Sequence, residues 1–205
     1  MVLARRPLQI IRAHARPYLW ANVLLYGLVL AGFVLGLAVP ELSAGRASTM
    51  QEDGTTDLVL RVFSHWWLFA VTILGVNVIT VGLFSIVLPS LVIPFAGVAV
   101  FAYRAVVIGV TLAPTEPATW IALIPHSLTL VIEFQAYVLL VLGAYLLGRG
   151  WLTPTYLGAG TRRGGYAQGL RMLGWLGVAA LALLVIGAVY EAVTLRYLVP
   201  VMLRG

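Results

Sequence analysis

The sequence predicts an all-α membrane protein: a polytopic bundle of five transmembrane helices, forming a single domain over residues 1–205, with its N-terminus in the cytoplasm. Composition and one pattern predict it. Hydrophobic residues make up 61% of the chain and charged residues 10%, where a soluble domain carries roughly 25% charged residues. The pattern is five apolar runs, each near the ~20 residues that a helix needs to cross a bilayer, separated by proline, glycine or charge.

The elements follow in order. Residues 1–17 form a basic leader with Arg5, Arg6, Arg12 and Arg16, in which Leu8 to Ala15 reads equally as a short interfacial helix or as a frayed segment. The first span runs from about Leu19 to Val39 and stops at Pro40. Its apolar run exceeds the roughly 7 to 15 residues of a signal-peptide core, so the expectation is an uncleaved helix. Residues 40–65 form an outer loop, with Glu41, Glu52, Asp53 and Asp57 set against Arg46 and Arg61. The second span extends from Trp66 to Pro89 and the third from Leu91 to Leu112. No charge separates these two around Pro89 and Pro94, so a broken or re-entrant element is the alternative, but their combined length suits two helices. The fourth span covers Thr119 to Leu147, a basic cytoplasmic loop occupies 149–172 with a flexible stretch from Gly158 to Gly169, and the fifth span runs from Leu173 to Val193.

Orientation comes from the arginines. Arg5, Arg6, Arg12 and Arg16 precede the first span, and Arg149, Arg162, Arg163 and Arg171 lie between the fourth and fifth. Five crossings put both groups on one side, and an excess of basic residues marks that side as cytoplasmic. Arg162, Arg163 and Arg171 are candidates for contact with lipid headgroups or a cytoplasmic partner. The isoelectric point near 10.1 fits anionic headgroups, and no aromatic-interleaved basic module points to nucleic acid. Tyr18, Trp20, Trp66, Trp67, Trp120, Trp151, Trp175 and Tyr197 sit at span ends and read as an aromatic belt. Gly32 and Gly36 form a small-xxx-small pair, suited to close helix packing inside the chain or between copies.

The chain has no cysteine, which excludes thiol catalysis, disulfides and thiolate metal sites. Its three histidines, His14, His65 and His126, lie far apart and lack metal-ligand spacing, and no nucleophile elbow or phosphate-cradling loop occurs. No cofactor or metal is expected.

The informative residues are the polar ones at bilayer depth, where an ionisable group costs on the order of 2.5 to 3.5 kcal/mol on insertion scales. His126 and Glu133 are seven residues apart, about 20° short of two full turns, so both emerge on one stripe of the fourth helix. Arg104, past the middle of the third span, is expected to pair with Glu133, while Asn77 and Gln135 complete a polar seam. Glu191, near the outer end of the fifth helix, is expected to pair with Arg196 at the interface. Such a seam can lock helices together, line a path for a proton or small solute, or support catalysis.

The stretch Leu123, Ile124, Pro125, His126, followed by Glu133, Ala136, Gly143 and Gly148, resembles the Pro-His-Gly and acidic signature of the stage II sporulation protein M family. Phe69 through Asn77 to Gly82 is similar to that family's apolar helix with an asparagine, and the first span, ending Gly32, Gly36, Pro40, to its opening helix. Ser127 stands where the family has glycine, and Leu130 occupies the usual position of the acid, with Glu133 one turn later. The resemblance implies a multi-span protein of the bacterial plasma membrane that acts through assembly, the namesake being a scaffold in a complex directing peptidoglycan hydrolysis. The expectation is therefore a non-catalytic scaffold or anchor subunit whose partners are the lipid bilayer and other membrane proteins or itself. The alternative is a permease subunit with a path lined by Arg104, His126 and Glu133; the absence of a convincing internal repeat weighs against it.

Overall fold

A computed structural model describes residues 2–52, 54, 61–62, 65–114 and 117–198, and among these the secondary structure is entirely helical. The elements are α1 (Val2–Ala13), α2 (Ala15–Ala38), α3 (Pro40–Glu52), α4 (Trp66–Val92), α5 (Ala96–Leu112), α6 (Pro117–Leu152) and α7 (Arg162–Leu198). Four of them are long and apolar enough to cross a membrane: α2, α4, the His126–Leu152 part of α6, and α7. The chain is thus a helical bundle of the multi-pass membrane type.

The third expected span is shorter than the sequence suggests. A turn at 93–95 delays α5 to Ala96 and leaves 17 residues, about 25 Å at 1.5 Å per residue, against ~30 Å of hydrocarbon. The turn is built by Phe95, which adopts left-handed backbone (φ 65°), and by Ser90, whose hydroxyl accepts from the Gly97 amide at 3.1 Å. A Cβ at Gly97 would collide with the Ile86 carbonyl, so α4 and α5 meet backbone to backbone just beyond the turn.

The central helix is α6. Within its apolar window 72% of residues are buried, against 28% for α2, 22% for α4 and 33% for α7. The sequence reason is the run from Phe134 to Leu147, which offers no polar face beyond Gln135, and a helix apolar all round belongs inside a bundle. Val138, Leu142, Leu146 and Leu147 are fully buried there. The longest packing seam joins α6 to α7 as an antiparallel pair, read from Gly150 against Gly165, Leu147 against Gly169, Gly143 against Leu173 and Glu133 against Gly187. A second close pair joins α2 to α5, where Gly32 lies on the Val106 carbonyl and Gly109 on the Val29 carbonyl. Gly32 and Gly36 therefore pack within the chain.

Three stretches assigned to loops or leader contain helix. The leader forms α1, an amphipathic helix with Arg5, Arg6 and Arg12 exposed and Ile10 and Ile11 packed on the core. The outer loop begins with α3, anchored by Ser43, which donates to the Gly36 (3.3 Å) and Val110 (3.1 Å) carbonyls. The expected loop 149–172 shrinks to 153–161, because α6 continues to Leu152, a single 3₁₀ turn spans Pro154–Leu157, and α7 starts at Arg162. Thr161 caps α7 by accepting from the Gly164 amide at 3.1 Å, so the Arg162 to Gly169 part of the expected flexible Gly158–Gly169 segment is helix while Gly158 to Thr161 stay in the connection. Asp53 and Asp57, and residues 115–116 of the short turn before α6, lie outside the described residues.

Candidate functional site

The polar residues at depth resolve into three groups around α6 and α4. The first is centred on Gln135, half-buried on the α2 side. Its amide nitrogen donates to Asn22 Oδ1 (2.8 Å) and Tyr26 Oη (3.0 Å), and its oxygen accepts from Tyr18 Oη (2.7 Å). Tyr18, Asn22 and Tyr26 are spaced i, i+4, i+8, so one stripe of α2 presents all three. Tyr18 thereby turns into the bundle rather than joining the aromatic belt.

The second group lies between α4, α6 and α7. Asn77 Nδ2 donates to Glu133 Oε1 at 2.5 Å, and Glu133 is only 7% exposed. Gly187 makes the room, since a Cβ there would come within 3.2 Å of Glu133 Cγ. One end of the same seam pairs His126 Nδ1 with Glu191 Oε1 at 3.4 Å, their side chains 21% and 14% exposed. The 3.4 Å approach lacks hydrogen-bond geometry, so His126 Nδ1 and the hydroxyl of the fully buried Thr129, one turn away, have no hydrogen-bond partner among the described residues.

The third group corrects the expectation for Arg104. Its guanidinium does not pair with Glu133; Nη1 donates to the Thr80 carbonyl (2.9 Å) and to Ser85 Oγ (3.0 Å) on α4. Both partners lie in the part of α4, Val76–Val87, that winds as a π-helix. Ser85 Oγ also donates to the Thr80 carbonyl at 2.7 Å. Glu191 carries a second correction: its partner is His126 on α6, whereas Arg196 lies over the Tyr197 ring, 5.7 Å from its centroid.

The structure thus brings Asn77 to Glu133, sets Arg104 and Gln135 into separate networks, adds Asn22, Tyr26, Thr80, Ser85 and Thr129, which sequence reasoning did not name, and gives Tyr18 and Glu191 roles other than those expected. The α2 stripe was available from its four-residue spacing. The α6–α7 register and the π-helix leave no such mark.

Arg162, Arg163 and Arg171 are exposed on the first turns of α7. Arg162 and Arg163 border a cleft of about 350 Å³ with Leu91, Trp151 and Tyr166, and Arg171 faces a different cleft, toward α1. Outside the spans, His14 lies beside Tyr156 (ring centroids 5.8 Å apart), and partial burial holds its imidazole below its ordinary pKa. Among the described residues no three of His, Asp and Glu converge closely enough to hold a metal ion.

No protein-family model, no curated protein and no solved structure matches this chain.

Proposed function

We propose that the chain is a non-catalytic membrane subunit that anchors or scaffolds a larger envelope complex, as its resemblance to the stage II sporulation protein M family implies. In this reading it crosses the bacterial plasma membrane five times, α5 making the third crossing, with the basic N-terminal and α6–α7 segments in the cytoplasm. The observation that carries the reading is how the polar groups at depth are used. Gln135 is held by three side chains of α2, Arg104 by a carbonyl and a hydroxyl of α4, Glu133 by Asn77, and Glu191 by His126. Each partner belongs to a different helix from the group it holds. Polar pairing of that kind fixes which helix faces meet and in what register, which suits a part that must present a constant surface to partners.

A permease subunit remains the second reading, and one observation favours it: Thr129 Oγ1, and His126 Nδ1 despite its approach to Glu191, have no hydrogen-bond partner among the described residues, on the stripe that also carries Glu133. Polar atoms left open at depth suit a path for a proton or small solute.

Isolation in mild detergent separates the two. The scaffold reading expects a protein to co-purify in fixed stoichiometry by quantitative mass spectrometry. A chain that comes away alone, and that supports pH-dependent flux in liposomes abolished by His126→Ala, would establish transport instead.

A further inference from the structure

α1 and the first turns of α7 part to leave a cleft of about 560 Å³. Arg6 and Gln9 line it from one face of α1, and Gln168, Arg171 and Trp175 from one face of α7, at spacings of three and four residues that keep each set on a single stripe. His14, at the joint between α1 and α2, closes one end. The lining includes two guanidinium groups, two carboxamides and no carboxylate.

The contrast with the bundle interior is what gives this cleft meaning. Inside, Gln135 and Arg104 spend their donors on neighbouring helices; here Arg6, Gln9, Gln168 and Arg171 meet no hydrogen-bond or ion-pair partner among the described residues. Two guanidinium groups from opposite walls, with carboxamides beside them, supply the kind of donors that recognise a phosphate. The volume falls within the range of small-molecule sites and exceeds what a bare phosphate needs, so a small polar group carrying the phosphate fits better. Trp175 supplies an apolar floor, and α1, with arginines outward and isoleucines inward, has the pattern of a helix lying at the membrane surface.

We propose that this cleft binds a phosphate ester on a small polyol headgroup, with Arg6 and Arg171 gripping its oxygens and Gln9 and Gln168 donating alongside. Such a group occurs on anionic glycerophospholipids and on soluble phosphorylated polyols. The site is independent of whether the chain is a scaffold or a permease.

The test is binding of phosphatidylglycerol, phosphatidylcholine and glycerol 3-phosphate to the full-length protein in detergent, followed by native mass spectrometry. The wild type should hold phosphatidylglycerol over phosphatidylcholine. Arg6→Ala with Arg171→Ala should weaken that binding by about tenfold or more, the loss of two charge-assisted contacts. Arg162→Ala with Arg163→Ala removes the same charge from the neighbouring cleft and should weaken it by less than about threefold, since only diffuse attraction is lost. Competition by glycerol 3-phosphate identifies a site open to soluble esters; failure to compete, with phosphatidylglycerol retained, identifies a lipid site. Should the first double variant misfold, Gln9→Leu with Gln168→Leu keeps the charge and must still lower affinity about threefold or more. Equal losses in the two arginine pairs, unchanged binding in the glutamine pair, or no preference among the three ligands overturns the proposal.

Discussion

At the scale of single residues, Gln135 shows most plainly how a polar group is made tolerable in a bundle. Both of its amide hydrogens and its oxygen are used by α2, so replacing it strands three partners. Gln135→Leu should lower stability by about 1–2 kcal/mol, the upper range for hydrogen bonds between membrane helices, read as a fall in melting temperature in detergent; an unchanged melt would mean that the network contributes nothing. Glu133 and Asn77 allow a cleaner measurement. A double-mutant cycle of Asn77→Ala and Glu133→Ala should give a coupling of roughly 0.5–2 kcal/mol. The cycle of Arg104→Ala with Glu133→Ala should give a smaller one, since Arg104 is engaged by Thr80 and Ser85. The chemistry of these residues was legible in the sequence, because a carboxylate, an imidazole or a guanidinium within an apolar run must find a partner. Which partner was not legible: it depends on the α6–α7 register and on a π-helical stretch, Val76–Val87, whose residues Asn77, Thr80 and Ser85 carry no sequence mark of that winding.

At the scale of elements, the glycines divide by what surrounds them. Gly27 on α2 faces open space, whereas a Cβ at Gly109 would lie 2.1 Å from the Val29 carbonyl oxygen, 2.7 Å from the Phe33 amide and 2.9 Å from Gly32 Cα. Gly27→Ala should be neutral or stabilise by up to about 1 kcal/mol through helix propensity. Gly109→Ala must push two backbones apart and should cost about 1–3 kcal/mol. Equal effects of the two in thermal melts would mean that the α2–α5 contact is loose. Apolar runs located every long helix, since length and hydropathy alone mark them, but they misplaced ends. α7 begins eleven residues before its apolar core, because Thr161 caps it and Gly165 packs on Gly150, features that hydropathy does not sense. α1 and α3 carry too much polarity to register as spans, though the arginine and isoleucine pattern of α1 was visible.

At the scale of the molecule, the 17-residue α5 decides the topology. The proposed five crossings put Arg12 and Arg163 on one side of the membrane and Ser48 on the other. If α5 turns back without crossing, Arg12 and Arg163 fall on opposite sides. The chain lacks cysteine, so single cysteines introduced at these exposed positions can be labelled with impermeant maleimides without background. The prediction is shared accessibility for positions 12 and 163 and the opposite for 48.

In the proposed scaffold, the ionisable groups of α6 and α7 hold helices together instead of conducting. Proton flux into liposomes carrying the purified protein, with a pH-sensitive dye inside, tests it most directly. Flux equal to that of empty vesicles, and the same for wild type, His126→Ala and Glu191→Gln, is the predicted result; flux above the empty-vesicle rate that either substitution abolishes would contradict it.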